Sequence, residues 1–89
     1  MRIEWDEEKN QRLIATRGIG FELVEEMLTA GTYEIRRHPD QGRYPDQVLL
    51  IFEFREYTWV CPAERRDDRL RLITIYPSRK YHRQRGSNG

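Results

Sequence analysis

Cysteine and long apolar runs are both scarce in this sequence. Cys61 is the only cysteine among 89 residues, so no disulfide can form within the chain; this is typical of a reducing cytoplasm. The longest apolar run, VLLIF, is far shorter than the roughly 20 residues that a membrane-spanning helix needs. The N-terminal stretch MRIEWDEEK lacks the apolar segment of a secretory signal. We therefore expect a cytoplasmic protein with no membrane contact.

The residue types that hold metals or act as nucleophiles are also few. A zinc site needs three or four His, Cys or carboxylate ligands close together, whereas His38, Cys61 and His82 lie far apart without paired spacing. Cys61 falls within a predicted strand, where a thiol usually packs as a small apolar side chain. The stretch RGIG is too short for a glycine-rich phosphate loop or a dinucleotide fingerprint. The sequence therefore predicts no metal and no cofactor.

Charge is segregated along the chain although the net charge is only +1. Residues 1–34 carry four basic and eight acidic side chains, whereas residues 65–89 carry eight basic and two acidic ones. Fourteen of the sixteen cations are arginine, whose planar guanidinium grips phosphate through two hydrogen bonds. A GC-rich genome would also favour arginine, so composition alone leaves an anion-binding face as one of two explanations.

Two helices are predicted in the N-terminal third of the chain. Asp6 can cap a helix over residues 7–16, whose first turn is acidic and therefore suits the helix dipole. After the break at RGIG, apolar residues recur at helical spacing from Phe21 to Leu28, and Gly31 provides a C-terminal stop.

Strands are predicted for most of the remaining chain. The stretches RIEW, TYEIRR, VLLIFEF, YTWVCPAE and LRLITIY are typical of strands, with a tight turn at Arg55–Glu56. HPDQGRYPDQ is predicted to be a loop, SRKYHRQ a short basic helical turn, and 86–89 a disordered tail. The order β-α-α-β-β-β-β predicts a single α+β domain over residues 1–85. Its two helices are expected to pack on one face of a mainly antiparallel sheet.

The segment YPSRKYHRQR, residues 76–85, holds four of the sixteen cations and no acidic residue. Its cations could hold phosphates, its tyrosines could stack on unpaired bases, and His82 can exchange a proton near neutral pH. Arg71 is predicted to project from the last strand on the face opposite Leu70 and Leu72. Three explanations remain open: a solvated tail with no role, nucleic-acid binding, or catalysis on RNA.

The opening stretches EWDEEKN and RGIGFE, together with Arg79-Lys80 in the basic segment near the end, resemble the pattern of one known family, the BrnT-type toxins. The opening, EWDEEKN followed by RGIGFE, is similar to that family's pattern of Trp-Asp, Lys, Asn and then Gly-Val/Ile-x-Phe-Glu. The family's last strand runs into an Arg-Arg/Lys pair within a basic segment, and Arg79-Lys80 corresponds to that pair. The two matches bracket residues 3–83. The matching residues of the opening are Trp5, Asp6, Lys9, Asn10, Gly18, Ile19, Phe21 and Glu22.

BrnT proteins are ribonuclease toxins of bacterial type II toxin–antitoxin systems, with a RelE-like fold of two helices on an antiparallel sheet. The resemblance implies the same fold here, and an endoribonuclease that cleaves mRNA, inhibits translation and arrests growth. It also implies a ribbon-helix-helix antitoxin that neutralises the toxin, in an assembly of two toxins with two antitoxins. Operator DNA would be contacted only through that complex.

A metal-independent nuclease uses the 2′-hydroxyl of RNA itself as the nucleophile. On this hypothesis Arg79 and Lys80 stabilise the developing negative charge, and His82 or alternatively Tyr81 transfers the proton. The alternative, of a different class, is a non-catalytic module whose basic face binds RNA or an acidic protein. Four further arginines are predicted to bind RNA: Arg43, Arg55, Arg71 and Arg83.

Overall fold

The computed structural model describes residues 1–86, which contain three helices and a six-stranded sheet. No helix in this range is long and apolar enough to cross a membrane. Of the tail predicted at 86–89, Gly86 is the last residue of the final helix, and 87–89 lie outside the described residues. In chain order the elements are β1 (Arg2–Glu4), α1 (Glu7–Arg17), α2 (Phe21–Ala30), β2 (Glu34–Arg37), β3 (Gln47–Phe54), β4 (Tyr57–Arg66), β5 (Arg69–Leu72), β6 (Tyr76–Pro77) and α3 (Arg79–Gly86).

The six strands form one mixed sheet. Five of them follow the order β1-β5-β4-β3-β2, and β6 pairs with β4. The β1–β5 pair is parallel, with Ile3 opposite Leu70, whereas the pairs β2–β3, β3–β4, β4–β5 and β4–β6 are antiparallel. The predicted α+β class is confirmed, with one parallel pair that the sequence pattern did not indicate.

The predicted helix boundaries are confirmed by their caps. The Asp6 carboxylate accepts a hydrogen bond from the Glu8 amide at 2.9 Å, which pairs one of the unsatisfied donors at the start of α1. Gly18 ends α1 in the left-handed conformation, with φ 72°, and Gly31 ends α2 in the same way, with φ 74°. Residues with a Cβ rarely adopt this conformation, so both glycines stop their helices.

Asn10 joins the two helices through its buried side chain. Its Oδ1 accepts the hydrogen bond of the Phe21 amide at 2.7 Å, because the N-cap of α2, Gly20, has no side chain to do so. Its Nδ2 donates to the two carboxylate oxygens of Glu22 at 3.0 and 2.9 Å. One asparagine on α1 therefore pairs the first amide of α2 and a carboxylate of its first turn.

The residues that carry the BrnT-like opening build this joint. The rings of Trp5 and Phe21 stack with their centroids 5.8 Å apart. At Gly20, the variable position between Ile19 and Phe21, a Cβ would lie 2.7 Å from Glu22 Oε1, 2.8 Å from Asn10 Oδ1 and 2.9 Å from Ile14 Cγ1, so a larger residue would displace these side chains. Trp5, Asn10, Phe21 and Glu22 of the opening motif therefore help to fix how α1 and α2 meet.

The two faces of the sheet carry separate core clusters, because alternate strand residues point to opposite faces. On β3, Leu50 and Phe52 pack in the cluster that α1 and α2 cover. Leu49 and Ile51 pack with Val60 in a second cluster on the opposite face. The unbroken apolar run of β3 is thus a strand that is buried on both sides.

α3 covers the second face, which the sequence analysis left open. It has eight residues rather than a single turn, and Tyr81 packs against the second cluster. Ser78 lies before its first turn, where the Ser78 Oγ accepts the Tyr81 amide at 3.2 Å. The expectation that helices cover one face only is therefore corrected: the apolar side chains of Leu49, Ile51 and Val60 need cover, and α3 supplies it.

The β3–β4 hairpin turns at Arg55 and Glu56, as predicted. Both residues have positive φ, 52° and 62°, which matches the right-handed twist of the flanking strands. The last predicted strand, in contrast, is divided into β5 and β6. Ile73, between them, still donates its amide to Pro62 O at 2.9 Å, so the chain stays beside β4 through the break.

Candidate nucleic-acid interface

An open groove of about 690 Å³ lies on the face of the sheet that α3 covers. Its walls are the loop between β2 and β3, the strands β3 and β4, the segment before β6 and the first turn of α3. We call it the α3 groove. Its aromatic and ionisable lining side chains are His38, Tyr44, Tyr76, Lys80 and Tyr81.

α3 is fixed against the sheet at both of its ends. Ser78 caps the first turn, and its amide donates to Thr58 O at 2.9 Å. Near the last turn, Arg85 forms ion pairs with Glu34 of β2 at 3.8 Å and with Glu53 of β3 at 3.4 Å. Through residue 86 the basic segment is therefore folded onto the sheet and is not a solvated tail.

Two cations meet at the ring of Tyr81. The Cζ of Arg36 and the Nζ of Lys80 each lie 5.4 Å from its centroid, within the range of a cation–π contact. Arg36 comes from β2, where its Nε also pairs with Glu34 Oε2 at 2.5 Å. Tyr81 thus has a guanidinium and an ammonium within cation–π range of one ring, and Lys80 and Tyr81 themselves line the groove, where a phosphate can bind.

The first turn of α3 concentrates positive charge. Arg79 and Lys80 are exposed there, and the turn contains no acidic residue. The N-terminus of a helix is already its positive end, so each cation there is unfavourable by roughly 0.3–1 kcal/mol. A bound anion would relieve this repulsion, which favours a phosphate at this end of the groove.

His38 and Tyr44 form an aromatic pair on the loop between β2 and β3. Their ring centroids lie 4.6 Å apart, with the planes tilted by 48°. The Asp40 amide donates to His38 Nδ1 at 3.0 Å, and the Tyr44 amide donates to Asp40 O at 2.9 Å. Because Nδ1 accepts a hydrogen bond, the neutral imidazole carries its proton on Nε2, where it is a donor.

Tyr76 supplies a phenol to the floor of the groove. Burial raises its pKa above the usual 10.0, and the neighbouring Tyr81 raises it further. The hydroxyl therefore stays protonated at physiological pH. In that state it is a hydrogen-bond donor that can act on a phosphate oxygen.

Arg71 lies on the same face, in an adjoining pocket of about 370 Å³. Ile73 lines both this pocket and the α3 groove, so the two are neighbours on the sheet. Leu70 and Leu72 lie in the core on the other face, which confirms the predicted orientation of Arg71. The same pocket contains two ion pairs, Arg66–Glu64 and Arg69–Glu4.

Arg79 does not line the groove itself, and neither do three other predicted arginines. Arg43 is exposed on the β2–β3 loop, with its Nε 4.0 Å from Asp40 Oδ2, and Arg83 is exposed on α3. Arg55 lies over the ring of Phe54 at 4.9 Å, with Phe54 in the cluster that α1 and α2 cover. Its role in RNA binding, like that of the other two, stays a prediction.

His82 is held outside the groove. Its Nδ1 lies 3.1 Å from Thr58 Oγ1, and its ring stacks on Tyr57 at a centroid distance of 4.3 Å. Tyr57 and Thr58 are the first two residues of β4. The groove is lined instead by Tyr81, the residue before His82. These contacts anchor α3, and they engage the imidazole that the sequence analysis selected for proton transfer.

Sequence reasoning missed Arg36 and Tyr44, although two signals pointed to the first. Alternation along β2 places Arg36 on the face opposite Ile35, and the β2–β3 register places it beside Leu49. What the sequence could not indicate is that α3 returns to this same face.

The buried thiol and the ionisable groups offer no second centre. Burial raises the pKa of Cys61 far above the ordinary range of a thiol, so it stays protonated and is a poor nucleophile. Among residues 1–86, no group of three or more His, Cys, Asp or Glu side chains is arranged to hold a metal ion.

No family model and no curated protein matches this chain at a significant level. The function of the α3 groove is therefore inferred from its own geometry and chemistry.

Proposed function

We propose that the protein is an endoribonuclease toxin of the BrnT type, which binds single-stranded RNA in the α3 groove and cleaves it without a metal ion. The observation that carries the proposal is the meeting of Arg36 and Lys80 at the ring of Tyr81, beside further rings in one open groove. Cations along a backbone path with aromatic faces for the bases are how proteins hold unpaired nucleic acid.

The side chains at the groove can take the catalytic roles that RNA cleavage requires. The 2′-hydroxyl attacks the adjacent phosphorus, the bond to the 5′-oxygen breaks, and a 2′,3′-cyclic phosphate and a 5′-hydroxyl remain. Lys80, with Arg79 beside it, stabilises the charge on the phosphorane, and the protonated Tyr76 donates a hydrogen bond to a phosphate oxygen. Overall, the proton of the 2′-hydroxyl is transferred to the leaving 5′-oxygen, and Tyr81 and His38 are the groups within the groove that can relay it.

The fold supports the same proposal. Two helices on one face of a largely antiparallel sheet agree with a RelE/BrnT-like layout, to which this chain adds α3 on the other face. The proposal includes a ribbon-helix-helix antitoxin as the neutralising partner, in a complex of two toxins with two antitoxins. The toxin acts on mRNA in the cytoplasm, and operator DNA is contacted only by the complex.

A second candidate is a module that binds RNA in the same groove without cutting it. The observation that favours it is the engagement of His82 by Thr58 and Tyr57, which removes one predicted proton-transfer group from the groove. Both candidates predict RNA binding, and they differ only in whether new RNA ends appear.

Induced expression followed by primer extension on cellular RNA separates the two candidates. The nuclease arrests growth and produces new, defined 5′ ends, whereas a binding module produces protection without new ends. The double variant Arg79→Ala, Lys80→Ala is expected to abolish both the arrest and the new ends. Unchanged arrest in that variant would contradict the assignment of these two residues.

The matched control removes two cations from the other side of the molecule. Arg12 and Arg17 are exposed on α1, and Arg12 has only a 4.0 Å surface ion pair with Glu8. The double variant Arg12→Ala, Arg17→Ala changes the net charge by the same amount and is expected to keep the arrest. If it lost toxicity to the same extent, the effect would come from net charge and not from the groove.

A further inference from the structure

A second open groove, of about 630 Å³, lies on the opposite face of the sheet, alongside α2. Its floor is formed by residues of the five strands β1, β5, β4, β3 and β2, including Leu50 of β3 and Leu70 of β5. Leu28 of α2 forms part of the wall. We call this surface the α2 ledge. It arises because α1 and α2 do not extend over this part of the sheet.

The ledge exposes apolar side chains to an unusual extent. Four large apolar side chains are exposed among residues 1–86, and three of them line this one surface: Met1 at 80%, Tyr33 at 38% and Ile35 at 44%. Single exposed apolar residues are ordinary, whereas a contiguous group beside a groove marks an interaction surface. The fourth exposed residue, Ile14, lies on α1 and outside the ledge.

The rim of the ledge is acidic on the side of α2. Glu25 and Glu26 line it, are exposed, and have no ion pair within the described part of the chain. Arg65 is the one cation among the lining residues. A partner that covers the apolar floor next to α2 is therefore favoured when it carries cations facing these two carboxylates.

The dimensions of the ledge suit a helix. From β1 to β2 the sheet spans four inter-strand spacings of about 4.8 Å, or about 19 Å. A helix of about 13 residues covers this distance at about 1.5 Å per residue. Such a helix would lie on the sheet beside α2 and complete the layer that α1 and α2 begin.

We propose that the α2 ledge binds an amphipathic helix of a partner protein, with an apolar stripe on the floor and Lys or Arg residues facing Glu25 and Glu26. This surface and the α3 groove lie on opposite faces of the sheet, so a partner on the ledge leaves the groove open. The proposal is therefore independent of the proposed ribonuclease activity.

Two synthetic helical peptides test it directly with the full-length protein. Both are about 14 residues long, share a leucine stripe at helical spacing, and differ only in carrying Lys or Glu beside that stripe. Affinity is measured by fluorescence anisotropy in about 50 mM salt, where the Debye length leaves such charges incompletely screened. The lysine peptide is expected to bind about tenfold more tightly than the glutamate peptide, and Glu25→Lys with Glu26→Lys should reverse this order.

A pair of matched variants separates the ledge from general apolar surface. Ile35→Ser should weaken binding of the lysine peptide several-fold, whereas Ile14→Ser, at a similar exposure of 42%, should leave it unchanged. Thermal melting of both variants checks that each is folded. Equal affinity for the two peptides, no binding at 1 mM peptide (roughly the limit of a weak specific contact), or equal effects of the two variants would overturn the proposal. A dimer in light scattering that Ile35→Ser abolishes would also overturn it, by assigning the ledge to a second copy of the chain.

Discussion

Replacing Asn10 with alanine should destabilise the protein strongly, although Asn10 lines neither the α3 groove nor the α2 ledge. Its side chain is 0% exposed, and the substitution leaves the Phe21 amide buried without its 2.7 Å acceptor. An unpaired buried donor costs about 2 kcal/mol, and the lost bonds from Nδ2 to the exposed Glu22 carboxylate add about 1 kcal/mol. We expect a loss of about 3 kcal/mol in the free energy of unfolding, which for a domain of this size lowers Tm by about 12–24 °C.

Urea denaturation followed by tryptophan fluorescence measures this loss. The control is Gln11→Ala on the exposed neighbour, whose Nε2 donates to Glu7 Oε2 at 2.6 Å in solvent. It should change the free energy of unfolding by less than about 0.5 kcal/mol. If Asn10→Ala also changed it by less than that, the joint between α1 and α2 would not depend on Asn10, and our explanation of the opening motif would be refuted.

Three further predictions follow from single side chains. Hydrogen bonds from neighbouring side chains lower the pKa of Glu7 below 4.5. The stabilisation that ionised Glu7 gives the folded protein is therefore present above that pH and is lost as the pH falls further. In an acid titration, Glu7→Gln should show a shallower loss of stability than the wild type. Cys61 should resist iodoacetamide in the native protein and react readily in urea, and fast labelling of the native protein would contradict its burial. His82→Ala should cost about 1 kcal/mol of stability through the lost bond to Thr58, with less than a twofold change in RNA affinity measured by anisotropy; a large loss of affinity at unchanged stability would return His82 to the RNA site.

Much of the fold was predictable because its signals are local. Asp6, Gly18 and Gly31 mark the ends of α1 and α2 through backbone chemistry that depends on a few neighbouring residues. The turn at Arg55 and Glu56 follows from the short spacing between two apolar strands. The parallel pairing of β1 with β5 has no local signal, because it joins residues from opposite ends of the chain.

The site was predictable only in part, for the same reason. The basic segment identified Lys80 and Tyr81, which do line the α3 groove. Adjacent positions on a helix point about 100° apart, so the sequence could not decide that Tyr81 faces the groove and His82 faces Thr58. Arg36 lies near Tyr81 because of the order of the strands in the sheet and the path of α3. Neither of these can be predicted from the residues around Arg36.

Incubation of the purified protein with end-labelled single-stranded RNA in EDTA tests the central claim most directly. We predict cleavage that leaves a 2′,3′-cyclic phosphate, that stops when the 2′-hydroxyl at the cleaved position is replaced by hydrogen, and that is lost in Arg79→Ala, Lys80→Ala. RNA that stays intact while bound to the protein, or cleavage that continues at a 2′-deoxy position, would contradict the account.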